Sequence, residues 1–194
     1  DQAQKLTLTS RAFYNDSLGE YEKYITNYFG LDKVLPMNTG AEAVETALKL
    51  CRKWAYEKKG IAENEAVILF ATENFHGRTL GIISASTDPD SRKGFGPYLP
   101  GIQIIPYNDA DALAQALAAN PNIAGFIVEP IQGEAGVMVP DEGYLKKASE
   151  LCKKHNALFI ADEVQTGIAR TGRLLATCGN CTFADKSCPG TPDD

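Results

Sequence analysis

Short apolar runs and longer stretches of helical periodicity alternate along this chain. Val34-Leu35-Pro36-Met37, Ala66–Ala71, Ile102–Pro106, Ile123–Glu129 and Ala157–Asp162 are brief, partly β-branched and bounded by Gly, Pro, Asn or Asp, which predicts strands. Between them, Gly40–Lys58, Asp109–Ala118 and Asp141–Lys154 have helical spacing, and Ala43, Ala47, Leu50 and Trp54 form one stripe of the first. An earlier amphipathic stretch, Ser17–Phe29, opens at a capping candidate and spaces Tyr21, Tyr24, Ile25 and Tyr28 three and four apart. It reads as a helix leading into the first strand.

Strands that are apolar on both faces and alternate with helices predict an α/β fold: a mostly parallel sheet with helices on both faces. The Gly- and Pro-dense stretch Thr87–Gly101 lacks periodicity and reads as a long ordered loop. From Cys178 onward the rhythm is lost, so 178–194 is expected to be a divergent, disordered tail.

Composition narrows the function. With 194 residues, 44% of them hydrophobic and 23% charged, the chain is long enough to bury a core without staples. A formal charge of −6 repels a polyphosphate backbone, so nucleic acid is not expected as a partner. No apolar run approaches the ~18 residues of a membrane span, and the first residues carry no secretory pattern. An odd, lopsided set of five cysteines suits a reducing compartment, taken as the cytoplasm with the mitochondrial matrix as the alternative. Cys178, Cys181 and Cys188 lack a fourth ligand nearby, and no metal site is expected.

Candidate chemistry collects where strands end. Asn38-Thr39-Gly40-Ala41 opens a long helix, where free N–H groups and the dipole favour a phosphate, although an Asn/Thr cap followed by Gly explains the same residues. Asn74-Phe75-His76-Gly77-Arg78 offers a flat aromatic face, an imidazole and a guanidinium fork; singly, these read as core, satisfied polar residue and surface ion pair. Glu129 and Glu134 flank a Gly-rich turn, either facing water or placed to meet a cation. Asp162 at a strand end, with Gln165 beyond it, is either a solvated acid or the partner of a heterocyclic nitrogen. No GxGxxG follows a strand and no GxxxxGK[ST] occurs, so a ring-bearing monophosphate fits better than a dinucleotide.

The strings LTLTSRAFYND, VLPMNTGAEAVETALKL, NFHGRTLG, STDP, GFGPYLPG, VEPIQGEAGV and IADEVQTGIARTGRLLA together closely resemble the ornithine aminotransferase family, a class III branch of the pyridoxal 5′-phosphate-dependent enzymes. The resemblance spans Asp1 to about Thr177. It implies a partial fold-type I cofactor-binding large domain over 1–177, in a family whose full-length members are homo-oligomers. It also implies transfer of the δ-amino group of ornithine to 2-oxoglutarate, giving glutamate semialdehyde and glutamate.

By matching positions, Thr39, Gly40 and Ala41 would hold the phosphate, Phe75 would stack on the ring, Asp162 would pair with its nitrogen and Gln165 would reach its hydroxyl. Arg78 would take a substrate carboxylate and Glu134 would serve the amino-acid end, with Glu129 further out. The family's Schiff-base lysine motif, of the type LLGKALSGG, does not occur in this sequence, and Lys186 in ADKSCPG is not its counterpart. No catalytic residue is therefore assigned, and the 194 residues alone are expected to be inactive. The alternative role is that of a non-catalytic isoform or a dimerisation partner of a full-length enzyme.

Overall fold

The computed structural model of the chain describes residues 1–10 and 12–177. The expected tail, Lys186 and the three clustered cysteines lie outside the described residues. Two compact units are distinguished, residues 1–36 and residues from 37 onward. In the first, α1 (Gln2–Lys5) precedes α2 (Asp16–Phe29). Helix α2 is capped not at Ser17 but at Asn15, whose side chain accepts the Leu18 N–H at 2.8 Å, and it stops at Gly30 in the left-handed region. Tyr24 and Tyr28, one turn apart, stack at 5.7 Å between ring centroids.

The expected strand at Val34–Met37 does not form. Pro36 has no N–H to give a ladder, and such a short run needs a strand beside it. The other four runs do form strands: β1 (Val67–Ala71), β2 (Ile102–Ile105), β3 (Ile123–Val128) and β4 (Leu158–Ala161). They pair in the order β2-β1-β3-β4, all parallel, with Phe70 opposite Ile104 and Ile127, and Ile127 opposite Ile160.

Helices cover both faces. On one, Leu69, Ala71, Phe126 and Val128 pack with Leu113 and Leu117 of α6 (Ala110–Ala119) and with Leu145, Ala148 and Cys152 of α7 (Tyr144–Lys154). On the other, Ile68, Phe70 and Ile127 pack with Val44, Leu48 and Cys51 of α3 (Gly40–Trp54) and with Ile82 of α4 (Leu80–Ile83). The alternation of neighbours between faces is the two-residue period of a strand. Burying each such Leu, Ile or Phe contributes about 1.5–3 kcal/mol, which is why every residue of β3 is apolar and buried.

Helix α3 presents a different stripe from the one expected. Val44, Leu48, Cys51 and, one turn on, Ala55 face the sheet, while Leu50 is 60% exposed. Both sets have 3.6-residue spacing on neighbouring sides of the helix; the side carrying Val44, Leu48 and Cys51 meets the sheet, while Trp54 of the other side is partly buried against the same core. After Trp54 the helix widens into a π-helical turn, Ala55–Lys59. The loop expected over Thr87–Gly101 holds one short helix, α5 (Pro89–Arg92), started by the Asp88 carboxylate accepting the Asp90 N–H. Among the described residues no helix is long and apolar enough to cross a membrane.

Gly125 in β3 lets α3 lie close to the sheet. A Cβ there would sit 2.9 Å from Cys51 Sγ and 2.9 Å from the Leu158 carbonyl oxygen. Gly125→Ala should therefore cost about 1–3 kcal/mol through overpacking, read as a lower urea midpoint at unchanged slope. An unchanged midpoint would show that the helix yields freely.

Candidate active site

All four strands run in one direction, so the segments leaving their C-terminal ends share one edge, where open α/β sheets place their ligands. The start of α3 lies there too. Thr39 accepts the Glu42 N–H through its hydroxyl at 3.1 Å, and the Glu42 carboxylate accepts the Asn38 N–H at 2.8 Å. This reciprocal cap leaves the Gly40 and Ala41 amides with no protein acceptor among the described residues, at the positive end of a fifteen-residue helix. Gly40 must stay small, because a Cβ would lie 2.6 Å from Val164 Cγ1.

The segment after β1 is anchored by Asn74, whose amide donates to the Ala71 and Ala85 carbonyls at 2.6 and 2.9 Å. It carries Phe75, half-buried, and His76, whose ring is fully buried and packs edge-on against Phe70. His76 Nδ1 donates to Asp162 Oδ2 at 2.6 Å, while Asp162 Oδ1 accepts the Val164 N–H at 3.1 Å. The Asp162 side chain is only 5% exposed, so the imidazole supplies the polar partner that its burial demands. His76 Nε2 is buried without a partner among the described residues.

Glu129, at the end of β3, accepts the Phe75 N–H at 3.0 Å. Burial pushes its carboxyl up to about 7 and the nearby Asp162 adds to this, while the bonds from Phe75 and Gly133 and the field of His76 act against it.

These groups border one cleft of about 400 Å³ of empty space, partly open to solvent. Of the residues singled out from sequence, Gly40, Ala41, Phe75, His76, Glu129, Asp162 and Gln165 line it. Glu134 joins at the margin, accepting from Gln165 Nε2 at 3.4 Å. Thr39 serves as the helix cap and is not part of the lining, and Arg78 is exposed and also outside it. Glu129, expected further out, is part of the lining itself, and His76 is there as the partner of Asp162; Ile131 and Val164, not singled out from sequence, complete the wall. The sequence signal of Glu129 was a carboxylate directly at the end of an apolar strand run, a place where only a partnered or neutral group is tolerated.

Comparison with known proteins gives this edge its context. The family model described as aminotransferase class-III matches residues 1–189. The chain belongs to the class III aminotransferases. It is 64% identical to the mitochondrial ornithine aminotransferase of Drosophila ananassae over 176 residues, 91% of this chain and 40% of that protein. Against the rat mitochondrial ornithine aminotransferase it is 65% identical over 175 residues, 90% of this chain and 40% of that one. The crystal structure of the Toxoplasma gondii ornithine aminotransferase superposes with a TM-score of 0.90 at 53% identity, covering 92% of this chain and 42% of that one. The acetylornithine aminotransferase of Elizabethkingia anophelis superposes with a TM-score of 0.79 at 66% identity, covering 92% of this chain and 43% of that one. The chain thus spans about 40% of the length of the curated relatives it matches.

The raised carboxyl of Glu129 has a stability consequence. Between its ordinary value of 4.5 and about 7, the folded chain holds a proton there that the unfolded chain releases, so stability falls as pH rises through that window. Glu129→Gln should remove this part of the slope, on the order of 2 kcal/mol between pH 5 and pH 8, in denaturant melts. Parallel slopes for variant and parent would contradict the assignment.

Proposed function

We propose that this chain is the cofactor-binding part of a pyridoxal 5′-phosphate-dependent ornithine aminotransferase. The observation that carries the reading is the cleft, which gathers two free helix-start amides, an aromatic ring and a buried carboxylate within one small volume. That donor set fits a flat, ring-bearing monophosphate: an anion site at one end, an apolar face for the ring and an acceptor for a protonated ring nitrogen. A solved Toxoplasma gondii ornithine aminotransferase is described as having partial occupancy of PLP at its active site, which supports the same identification.

In this reading the Gly40 and Ala41 amides hold the phosphate, Phe75 covers one ring face and Asp162 keeps the ring nitrogen protonated. Asp162 can do so because His76 fixes its second oxygen and keeps water from it. Gln165, which lines the cleft and donates to Glu134, would take the ring hydroxyl. Arg78 and Glu134, exposed beside the cleft, are assigned to the carboxylate and ammonium of the amino acid. The bound group would act as the electron sink for the carbanion formed when the amino acid loses a proton. The substrates proposed are ornithine and 2-oxoglutarate.

No lysine lines the cleft among the described residues, so the 194-residue chain is proposed to bind the cofactor without turning over. The word mitochondrial in the names of the fruit-fly and rat relatives supports the mitochondrial alternative for its compartment. One observation favours a second substrate, the 66% identity to an enzyme named acetylornithine aminotransferase. Assays of the whole protein with ornithine and with N-acetylornithine separate the two.

Pyridoxal phosphate titration of the chain, followed by absorbance, tests the cleft. Binding should weaken by about tenfold or more in Asp162→Ala and be lost in Gly40→Val, whose side chain would occupy the space of Val164. Undiminished binding in both would place the cofactor elsewhere.

A further inference from the structure

Asp162 is followed by a second carboxylate to which neither the sequence pattern nor the cofactor reading gives a task. Glu163 takes four donors. Its Oε2 accepts from the Thr166 hydroxyl at 2.5 Å and the Ala176 N–H at 3.0 Å, and its Oε1 accepts from the Thr177 N–H and the Thr177 hydroxyl, both at 2.8 Å. Thr166 and Thr177 are 6% and 2% exposed, so these are not hydroxyls that water satisfies. One side chain thereby ties the turn after β4 to a segment thirteen and fourteen residues further on.

Between those two points the chain makes a tight excursion. Ile168 N–H donates to the Leu174 carbonyl at 2.7 Å and Ala169 N–H to the Arg173 carbonyl at 3.0 Å. Ile168 and Ala169 both sit in the left-handed region, at φ 55° and 66°. A β-branched residue takes that conformation only where its surroundings impose it. The near end of the excursion is cleft wall: Val164 lies against Gly40, and Gln165 lies against Gly133 and bonds Glu134.

We infer that Glu163 is a positioning residue, a clasp whose carboxylate closes the 163–177 excursion and so holds Val164 and Gln165 in the wall of the cofactor cleft. The inference rests on the cofactor reading only for its functional consequence; the clasp is a matter of geometry. Glu163→Gln replaces one acceptor oxygen with an N–H₂ group facing donors, leaving two of the four donors without an acceptor. The Thr166 hydroxyl gives a milder probe, since Thr166→Val removes one donor at nearly constant volume and Thr166→Ser keeps it.

Hydrogen exchange read by mass spectrometry, with pyridoxal phosphate titration in parallel, decides the matter. Expected in Glu163→Gln is faster exchange confined to 163–177, with β1, β2 and β3 protected as in the parent, and cofactor binding weakened by about tenfold. Thr166→Val should show both effects in lesser degree, and Thr166→Ser should restore parental behaviour. Unchanged exchange in 163–177, a uniform rise across the sheet, or parental affinity despite a loosened segment would each overturn the proposal. Should the parent chain itself fail to bind pyridoxal phosphate, the cofactor reading falls, and the exchange pattern alone then decides the clasp.

Discussion

A carboxylate at the buried end of a strand has to be given a partner, and much of this molecule's arrangement follows from meeting that requirement at Asp162. The side chain is almost wholly out of water, and His76 supplies the donor at 2.6 Å. His76 can reach it only because the segment after β1 folds back across the ends of β1 and β3, held by Asn74 to two carbonyls and by the Phe75 amide to Glu129. That same path puts the ring of Phe75 at the cleft. The aromatic face and the acid are therefore consequences of one pairing rather than two independent placements.

The pairing depends in turn on a sheet covered from both sides. Phe70 and Ile127 face α3 while Leu69 and Phe126 face α6 and α7, and this double burial makes the strand ends dry enough for a hydrogen-bonded imidazole and carboxylate to matter. Gly125 belongs to the same argument. By letting α3 settle on β3, it helps carry the start of that helix, with its two free amides, to the edge where Asp162 emerges.

Four strands and four of the longer helices were legible because each had a period or composition of its own. What escaped was set by competition rather than by local pattern. Val34–Met37 had strand composition but no strand to pair with, and α3 offered two adjacent stripes of equal periodicity, of which Val44, Leu48 and Cys51 face the sheet. Likewise, Thr39 was legible both as a cap and as a phosphate ligand, and the structure spends its hydroxyl on the Glu42 amide. The roles of His76 and Glu129 depend on partners 86 and 54 residues away, a separation that leaves no trace in any window of the chain.

Asp162 and Glu163 look like a redundant pair of acids in the sequence, yet their surroundings separate them completely. Successive side chains at a strand end point to opposite sides. One carboxylate therefore turns toward the imidazole and the cleft, and the other toward the Thr166 hydroxyl and the amides of Ala176 and Thr177. Two negative charges on adjacent residues are tolerable because each is met by its own set of donors, so neither needs the other's partner. The strand end thus presents one acid to the cleft and one to the excursion that forms part of its wall, and the order of the two residues decides which carboxylate meets which donors.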